Sequence, residues 1–263
     1  MSRIGRIASE AGAGAKAFLR RRTAVFFTFF FPVIIVLIFG VLVGTQPTGG
    51  GLFAEPPGYY LPGYLAVVVL FTPLSRVGSE FARHREGSRF EKLATTPLRR
   101  WEWLFAHTLV NVLVIGAASL LIFGLVVALV DVQIAVGAHL LLLIPFVALA
   151  VALFCGLGAV LGRLADSQDG VIAASNSVAL PLLFLSETFV TPDLLPAWFS
   201  PITNLSPLTY FARGVRYLTY ERVSTPVVGA TDPTTLALYQ LAILAALSLA
   251  FFVAGAYAVP RTD

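Results

Sequence analysis

Six long apolar runs divide the chain and predict six membrane-spanning helices. Each run has about 17 or more residues without a charged side chain, which is enough for a helix to cross the hydrocarbon core of a bilayer. The runs occupy residues 24–43, 59–75, 104–130, 137–162, 171–186 and 236–259. Four prolines fall inside or at the edges of these runs, where neighbouring helices can satisfy the carbonyl groups that a proline leaves free. We expect kinks there, at Pro32, Pro73, Pro145 and Pro181.

Composition agrees with this pattern and gives the class of protein. Hydrophobic residues make up 57% of the 263 residues and charged residues only 12%, whereas globular domains are about 45–50% apolar. The mean hydropathy is +0.85. The chain is therefore predicted to be an all-α integral membrane protein with one transmembrane domain over residues 1–263. Its single cysteine, Cys155, lies in an apolar run and is expected to be a small buried side chain.

The distribution of basic residues orients the predicted bundle, because Lys and Arg near the ends of spans remain on the cytoplasmic side. Fifteen of the 18 basic residues precede the first span, lie between the second and third, or follow the fourth and sixth. The connections after spans one and three contain none. We expect a multi-pass plasma-membrane protein with both termini in the cytoplasm. We expect no cleavable signal, because the first apolar run has full spanning length.

The segment before the first span, residues 1–22, reads as an amphipathic helix at the membrane interface. Apolar side chains recur at helical spacing, at Ile4, Ile7, Ala8, Ala11, Ala15, Phe18 and Leu19. Charged side chains lie opposite, at Arg3, Arg6, Glu10, Lys16 and Arg20. Such a helix places its apolar face in the lipid and its basic face toward anionic headgroups. The alternative is a disordered basic tail; neither pattern favours binding to nucleic acid.

The connection over residues 76–103 is the largest predicted water-facing segment. It carries four glutamates among its seven basic residues, so it is not a bare polybasic patch. Phe81, Phe90 and Leu93 add apolar side chains that must be covered, and residues 95–97 break the helix before the third span. We interpret the segment as a docking helix for a cytoplasmic partner. A solvated helical hairpin that only joins two spans is the alternative.

The block over residues 185–218 is too rich in proline for a span and too apolar for a solvated loop. We predict an extracellular re-entrant segment over residues 187–222 with two short helices. Thr191 is the expected N-cap of the first, which Pro196 ends, and Pro207 begins the second. One face of the second helix carries Leu208, Phe211, Ala212, Val215, Leu218 and Thr219, and another carries Thr209, Arg213, Arg216 and Tyr220. Broken helices at membrane depth need protein cover or a water-filled cavity, which favours an outer gate over a surface loop.

Glu187 is the one acid near a span end that this block could hold in a low dielectric, where an ionisable group is usually paired or functional. Arg213 or Arg216 is its expected partner, and an exposed carboxylate is the alternative. The three histidines, His84, His107 and His139, lack a metal-like arrangement, so we expect neither a metal site nor catalytic residues.

The two segments just described carry a resemblance. The sequences FEKLATTPLRRWEWL (residues 90–104) and LPAWFSPITNLSPLTYFARGVRYL (residues 195–218), in register with six spans, resemble the membrane subunits of type-2 ABC exporters of the drug-resistance and polysaccharide-export class. Three positions depart from the usual pattern. In the cytoplasmic motif, which begins at Glu86 and ends at Pro97, Ser88 and Arg89 stand where small or polar residues are common. In the outer motif, Ser206 stands where Asn is common. The overlap covers essentially the whole chain.

The resemblance implies a permease subunit that is not itself an ATPase. The chain has no G-x-x-x-x-G-K-[ST] loop to hold phosphate, so Mg-ATP is expected on a separate nucleotide-binding subunit and no cofactor on this chain. A second permease, either another copy or a related chain, is expected to complete a path lined by spans one and five. The implied ATPase-coupling residues are Glu80, Phe81, Glu86, Phe90, Glu91, Leu93 and Thr96. The implied outer gate is Glu187, Leu195, Pro196, Trp198, Pro207, Leu208, Tyr210, Arg213 and Arg216.

Other functional classes agree less well with the sequence. A secondary transporter or a channel-like protein without an ATPase would place ionisable residues at mid-membrane sites, and the six spans are almost free of them. An intramembrane enzyme would need a clustered nucleophile, base or metal set. An apolar path favours export of an amphipathic or lipid-linked substrate, although the same residues also pack any helix bundle.

Overall fold

The computed structural model describes residues 2–43, 55–191, 195–220 and 232–260, and within these ranges the chain is helical without β-strands. The helices are α1 (Arg3–Arg20), α2 (Arg22–Ile35), α3 (Leu61–Glu86), α4 (Arg89–Ala94), α5 (Arg100–Leu129), α6 (Leu143–Leu164), α7 (Gln168–Leu185), α8 (Ser200–Thr203), α9 (Pro207–Thr219) and α10 (Pro233–Ala258). A π-helix, Val36–Leu42, continues α2. The 3₁₀ turns Pro57–Tyr60 and Ala138–Leu142 lead into α3 and α6.

The six predicted spans are confirmed as six helices that are long and apolar enough to cross a membrane. They comprise Arg22–Leu42, Pro57–Glu86, Arg100–Leu129, Ala138–Leu164, Gln168–Leu185 and Pro233–Ala258. The largest difference is in the second, where α3 continues to Glu86 through a stretch predicted to belong to the connection. Charged residues on this extension end the hydropathy signal before the helix itself ends.

The spans differ greatly in how far the rest of the chain covers them. In the most apolar window of each, 78% of the residues are buried in the second span, but only 11% in the first, 17% in the sixth and 22% in the fifth. The second span, which includes α3, is therefore the central helix. The helices α2 and α7 lie at the periphery, and α6 packs most extensively against α3 and α10.

Glycines allow the backbones of α3, α6 and α10 to approach closely. A Cβ atom on Gly158 would lie 2.5 Å from the carbonyl oxygen of Leu74, and one on Gly78 would lie 2.8 Å from the carbonyl oxygen of Gly158. On another side of α6, a Cβ atom on Gly156 would lie 2.3 Å from the carbonyl oxygen of Phe251. Small residues at helix interfaces are the usual means of close packing in lipid, where hydrophobic burial between helices contributes little.

Hydrogen bonds hold one end of the bundle together. Arg85 at the end of α3 donates to the carbonyl oxygens of Gly162, Arg163 and Ala165 at the end of α6. Glu86 accepts from the backbone and the side chain of Gln168 at the start of α7. We call this the basic end, because the segments predicted to be cytoplasmic from their Lys and Arg content meet here.

The N-terminal helix forms as predicted, but two of its charged side chains do not lie on the predicted face. Arg6 donates to the carboxylate of Glu102 on α5 at 3.1 and 2.7 Å. Glu10 lies 3.5 Å from His107 on the same helix. The prediction that both side chains face headgroups is therefore wrong, because α5 supplies a buried carboxylate and an imidazole as partners. The location of α1 at the membrane interface stays a prediction.

We expect Gly158→Ala to lower the free energy of unfolding by about 1–3 kcal/mol, because the added methyl group forces α3 and α6 apart. Gly116→Ala on α5 is the matched control, since a Cβ atom there has no neighbour within 4 Å. It should change stability by less than about 1 kcal/mol. Denaturant titration of both variants in the same detergent tests this. Equal stability of the two variants would show that close approach at Gly158 is not required.

Candidate functional site

A partly buried ion pair lies where α7 ends. Arg213 of α9 donates to the two carboxylate oxygens of Glu187, from Nε to Oε2 at 2.9 Å and from Nη2 to Oε1 at 2.5 Å. The hydroxyl of Thr203 donates to Oε1 at 3.0 Å, and Nη1 of Arg213 donates to the side-chain oxygen of Asn204 at 2.8 Å. Glu187 adopts a left-handed backbone conformation with φ of 57°. Such a conformation is uncommon outside glycine and is often found at functional sites.

The second arginine of α9 binds the same turn in a different way. Arg216 is buried, and its Nη2 donates to the backbone carbonyl oxygen of Glu187 at 2.5 Å. Its guanidinium group lies 3.9 Å from the ring centroid of Tyr59, just before α3, and the ring of Tyr59 meets that of Tyr220 edge to face. We refer to Glu187, Thr203, Asn204, Arg213, Arg216 and Tyr59 as the Glu187 cluster. It joins the ends of α7, α8 and α9 to the start of the second span.

Short polar side chains shape the turn that carries the carboxylate. The hydroxyls of Ser186 and Thr188 donate to the carbonyl oxygen of Leu183 at the end of α7, which also accepts from the backbone N–H of Ser186. Ser206, the residue before α9, donates to the carbonyl oxygen of Leu182. These bonds attach α9 to the end of α7 and satisfy buried backbone groups.

The cluster keeps the carboxylate charged. Burial by itself would raise the pKa of Glu187, but hydrogen bonds from Arg213 and Thr203 and the charges of Arg213 and Arg216 bring this pKa below its ordinary value. In turn, the hydrogen bond to Glu187 raises the pKa of Arg213. The two groups are therefore an ionised pair near neutral pH.

The structure brings together only part of the predicted outer-gate set. Pro207 and Leu208 are buried at the start of α9, and Tyr210 donates to the carbonyl oxygen of Asn204. Trp198 does not join them, because its side chain is 71% exposed. Leu195 is partly exposed and Pro196 is exposed. Sequence reasoning missed Tyr59, Thr203 and Asn204, of which Tyr59 is distant in sequence and carried no signal.

The two short helices differ in how well they match the prediction. The second, α9, begins at Pro207, and its predicted apolar face is buried. Thr209 and Arg216 on the other predicted face are also buried, and each donates to a carbonyl oxygen. The first described short helix, α8, begins at Ser200, after the position predicted from the Thr191 N-cap. Residues 192–194 lie outside the described residues.

At the basic end, a cluster of aromatic rings folds the predicted coupling segment onto the bundle. The ring of Phe90 on α4 lies 5.0 Å from that of Phe81 and 5.4 Å from that of Trp103. His84 and His107 extend the contact, with the His107 ring 4.4 Å from that of Trp103. We call these five residues the aromatic anchor. Phe81 and Phe90 are buried within the chain, so they do not offer the apolar contact surface that we predicted for a partner.

The remaining predicted coupling residues divide by exposure. Glu86, Glu91 and Thr96 are exposed and Leu93 is partly exposed. Glu80 is mostly buried, where it pairs with Arg83 and lies 3.8 Å from Arg21. Ser88 has a left-handed conformation with φ of 49°, which turns the chain from α3 into α4. The exposed edge of α4 is therefore polar, and on its buried side Phe90 packs into the aromatic anchor.

Comparison with known proteins gives this architecture a family. Residues 12–220 match the family described as ABC-2 type transporter. The chain belongs to this family. The match begins within α1 and ends just after α9, so it includes both the coupling segment and the Glu187 cluster. Membership makes this ABC-2 family chain a membrane transport subunit that works with an ATP-binding partner, on which ATP is hydrolysed.

Two relatives show similarity over most of their length. The daunorubicin resistance ABC transporter permease of Streptomyces coeruleorubidus is 29% identical over 229 residues, which cover 80% of this chain and 77% of the relative. The inner membrane transport permease YadH of Escherichia coli is 27% identical over 192 residues, which cover 69% of each chain. The resemblance to type-2 ABC permeases is confirmed.

The ion pair predicts a particular dependence of stability on pH. Because the folded pKa of Glu187 is below its ordinary 4.5, the pair stabilises the fold fully above pH 4.5, and this contribution is lost as pH falls through the folded pKa. Glu187→Gln should lower stability at neutral pH by about 2–3 kcal/mol, less than for a fully buried pair because Arg213 is 25% exposed.

Thermal unfolding in detergent between neutral and acidic pH measures this effect. Asp131→Asn removes an exposed carboxylate at the end of α5 and is the matched control. The Glu187→Gln variant should lose less stability on acidification than the parent chain. Parallel pH curves for the variant and the parent would contradict the proposed ionisation.

Proposed function

We propose that this chain is the permease subunit of an exporter that moves an amphipathic or lipid-linked substrate out of the cytoplasm. The main support for this proposal is that the coupling segment has a buried aromatic anchor and an exposed polar edge. Phe90 fixes α4 to α3 and α5, so a partner that moves α4 also moves two spans. Glu91 and Thr96 remain available to that partner, which by family is the ATP-binding subunit. Mg-ATP acts there and not on this chain.

The Glu187 cluster is the proposed outer gate. A buried and charged bidentate pair is strong when intact and costly when one partner is left alone in a low dielectric. It therefore favours two discrete arrangements, closed with the pair made and open with both groups hydrated. The cluster joins α9 and α7 to the start of the second span, which gives it control over the segment that we predict to face the outside. This placement assumes cytoplasmic termini, as the basic residues favour.

The translocation path is proposed to lie between two permeases. The helices α2 and α7 are spans one and five, and both are poorly covered by their own chain. Phe26, Phe27, Phe30 and Phe31 on α2 and Phe184 on α7 are exposed aromatic side chains. A second permease would cover part of these faces and leave an apolar route between them. Such a route suits an amphipathic molecule, and one relative is named for resistance to daunorubicin.

Coupling through the exposed edge of α4 can be tested with a charge reversal. We expect Glu91→Lys to weaken association with the co-expressed ATP-binding subunit about tenfold, because it reverses a charge at the contact. Asp131→Lys makes the same change at the opposite end of α5 and should leave association unchanged. Co-purification and substrate export in vesicles are the measurements. Normal association and export by Glu91→Lys would place the contact elsewhere.

Gating by the Glu187 pair has a distinct signature. Arg213→Gln should impair export but leave the complex with the ATP-binding subunit intact, since the cluster lies far from α4 along the bundle. The charge-swapped chain Glu187→Arg with Arg213→Glu should regain part of the lost export if the pair acts as a unit. Reconstituted vesicles, normalised for folded protein, give both readings. Full export by the single variant would disprove the gate.

A further inference from the structure

A groove of about 890 Å³ opens at the basic end between the start of α5 and the end of α10, beside α4 and the turn that follows it. This volume is in the range of small-molecule binding sites. Three coupling residues, Phe90, Leu93 and Thr96, line its side next to α4, but the side between α5 and α10 has no role in the proposed coupling or gating. Its apolar lining includes Trp101 on α5 and Phe252, Val253 and Tyr257 on α10.

The groove descends from the end of the span toward the hydrocarbon region. Phe252 lies six residues before Ala258, which places it about 9 Å below the end of α10. From the groove lining onward, exposed apolar side chains continue along the same two helices at helical spacing. On α5 these are Trp101, Phe105 and Leu109, and on α10 they are Tyr257, Val253 and Leu249. The groove therefore opens sideways onto the surface that faces lipid, as a slot for an acyl chain does.

The upper rim of the groove is positively charged. Arg99 and Arg100 line it, and no residue on its described lining is acidic. Neither guanidinium forms a salt bridge within the described parts of the chain. The acid on the same turn of α5, Glu102, is fully buried and is engaged by Arg6 and by the backbone N–H of Arg99. Since no described carboxylate lies within salt-bridge distance of either guanidinium, both arginines can meet an anion.

Aromatic residues place this rim at the depth of lipid headgroups. Trp101 is 39% exposed and Tyr257 is 79% exposed, and both residue types concentrate where the bilayer meets water. Basic pockets between spans on the cytoplasmic side are suited to anionic headgroups. A water-soluble subunit could cover the rim, but it could not follow the exposed face of α10 to Leu249, about 13 Å below the end of that helix.

From these features we infer that the groove binds an anionic phospholipid, with the phosphate held by Arg99 and Arg100 and one acyl chain between α5 and α10. This site is separate from the proposed export path at α2 and α7. A phospholipid bound there would contact the start of α5, which follows the coupling segment, at the basic end of the bundle.

The test uses the purified full chain in detergent, titrated with phosphatidylglycerol or phosphatidylcholine while thermal unfolding and lipid retention in native mass spectrometry are measured. Phosphatidylglycerol should raise the melting temperature saturably, and phosphatidylcholine and inorganic phosphate should not. Arg99→Gln with Arg100→Gln should weaken phosphatidylglycerol binding about 30-fold. Arg22→Gln with Arg163→Gln removes the same charge from exposed positions outside the groove and should not weaken binding.

A second variant tests the acyl slot without a change of charge. Ala256→Phe on α10 narrows the groove and should also weaken phosphatidylglycerol binding. Equal stabilisation by both lipids, or by inorganic phosphate, would overturn the inference, as would unchanged binding in the double arginine variant. If that variant kept the lipid but lost the ATP-binding subunit, the groove would belong to the protein partner and the lipid site would be rejected.

Discussion

The close approach of three helix backbones is the constraint on which the rest of this structure depends. In a bilayer the helices gain little from burying apolar side chains against each other, so contact between their backbones must supply the packing. Gly78 and Gly158 bring α3 against α6, and Gly156 brings α10 against another side of α6. Because α6 is held on two sides, these three helices form one unit.

The central position of α3 links the two functional regions. At one end of the second span, Tyr59 packs against Arg216 of the Glu187 cluster, and a Cβ atom on Gly63 would lie 2.8 Å from the carbonyl oxygen of Thr188. At the other end, Phe81 and His84 belong to the aromatic anchor. A single buried helix therefore provides a contiguous packed route between α4 and the proposed gate. Contiguity alone does not transmit a signal; coupling also requires two arrangements of comparable free energy that each site biases differently.

The elements that could be predicted from sequence are those that depend on local pattern. Apolar runs of spanning length located all six long helices, and Pro207 with the periodicity after it located α9. The side to which a residue turns was harder to predict, because its partner is distant in sequence. Phe90 among charges has the pattern of a docking surface, yet Trp103 of the next helix covers it. Arg6 has the pattern of a headgroup contact, yet Glu102, 96 residues away, binds it.

The two arginines of α9 show why the partner of Glu187 could not be chosen from sequence. They are three residues apart on one helix, so both lie near the same turn. The structure gives them different tasks: Arg213 neutralises the carboxylate, whereas Arg216 binds the backbone carbonyl of the same residue and stacks on Tyr59. A lysine in place of Arg213 could still supply part of the charge that Glu187 needs. A lysine in place of Arg216 would lack the planar group that donates to a carbonyl while lying on an aromatic ring. Arg213 is therefore tied to the ionisation of Glu187, and Arg216 to the position of its backbone. If the gate opens by breaking the charged pair, Arg216 can keep the turn in place while the carboxylate is released.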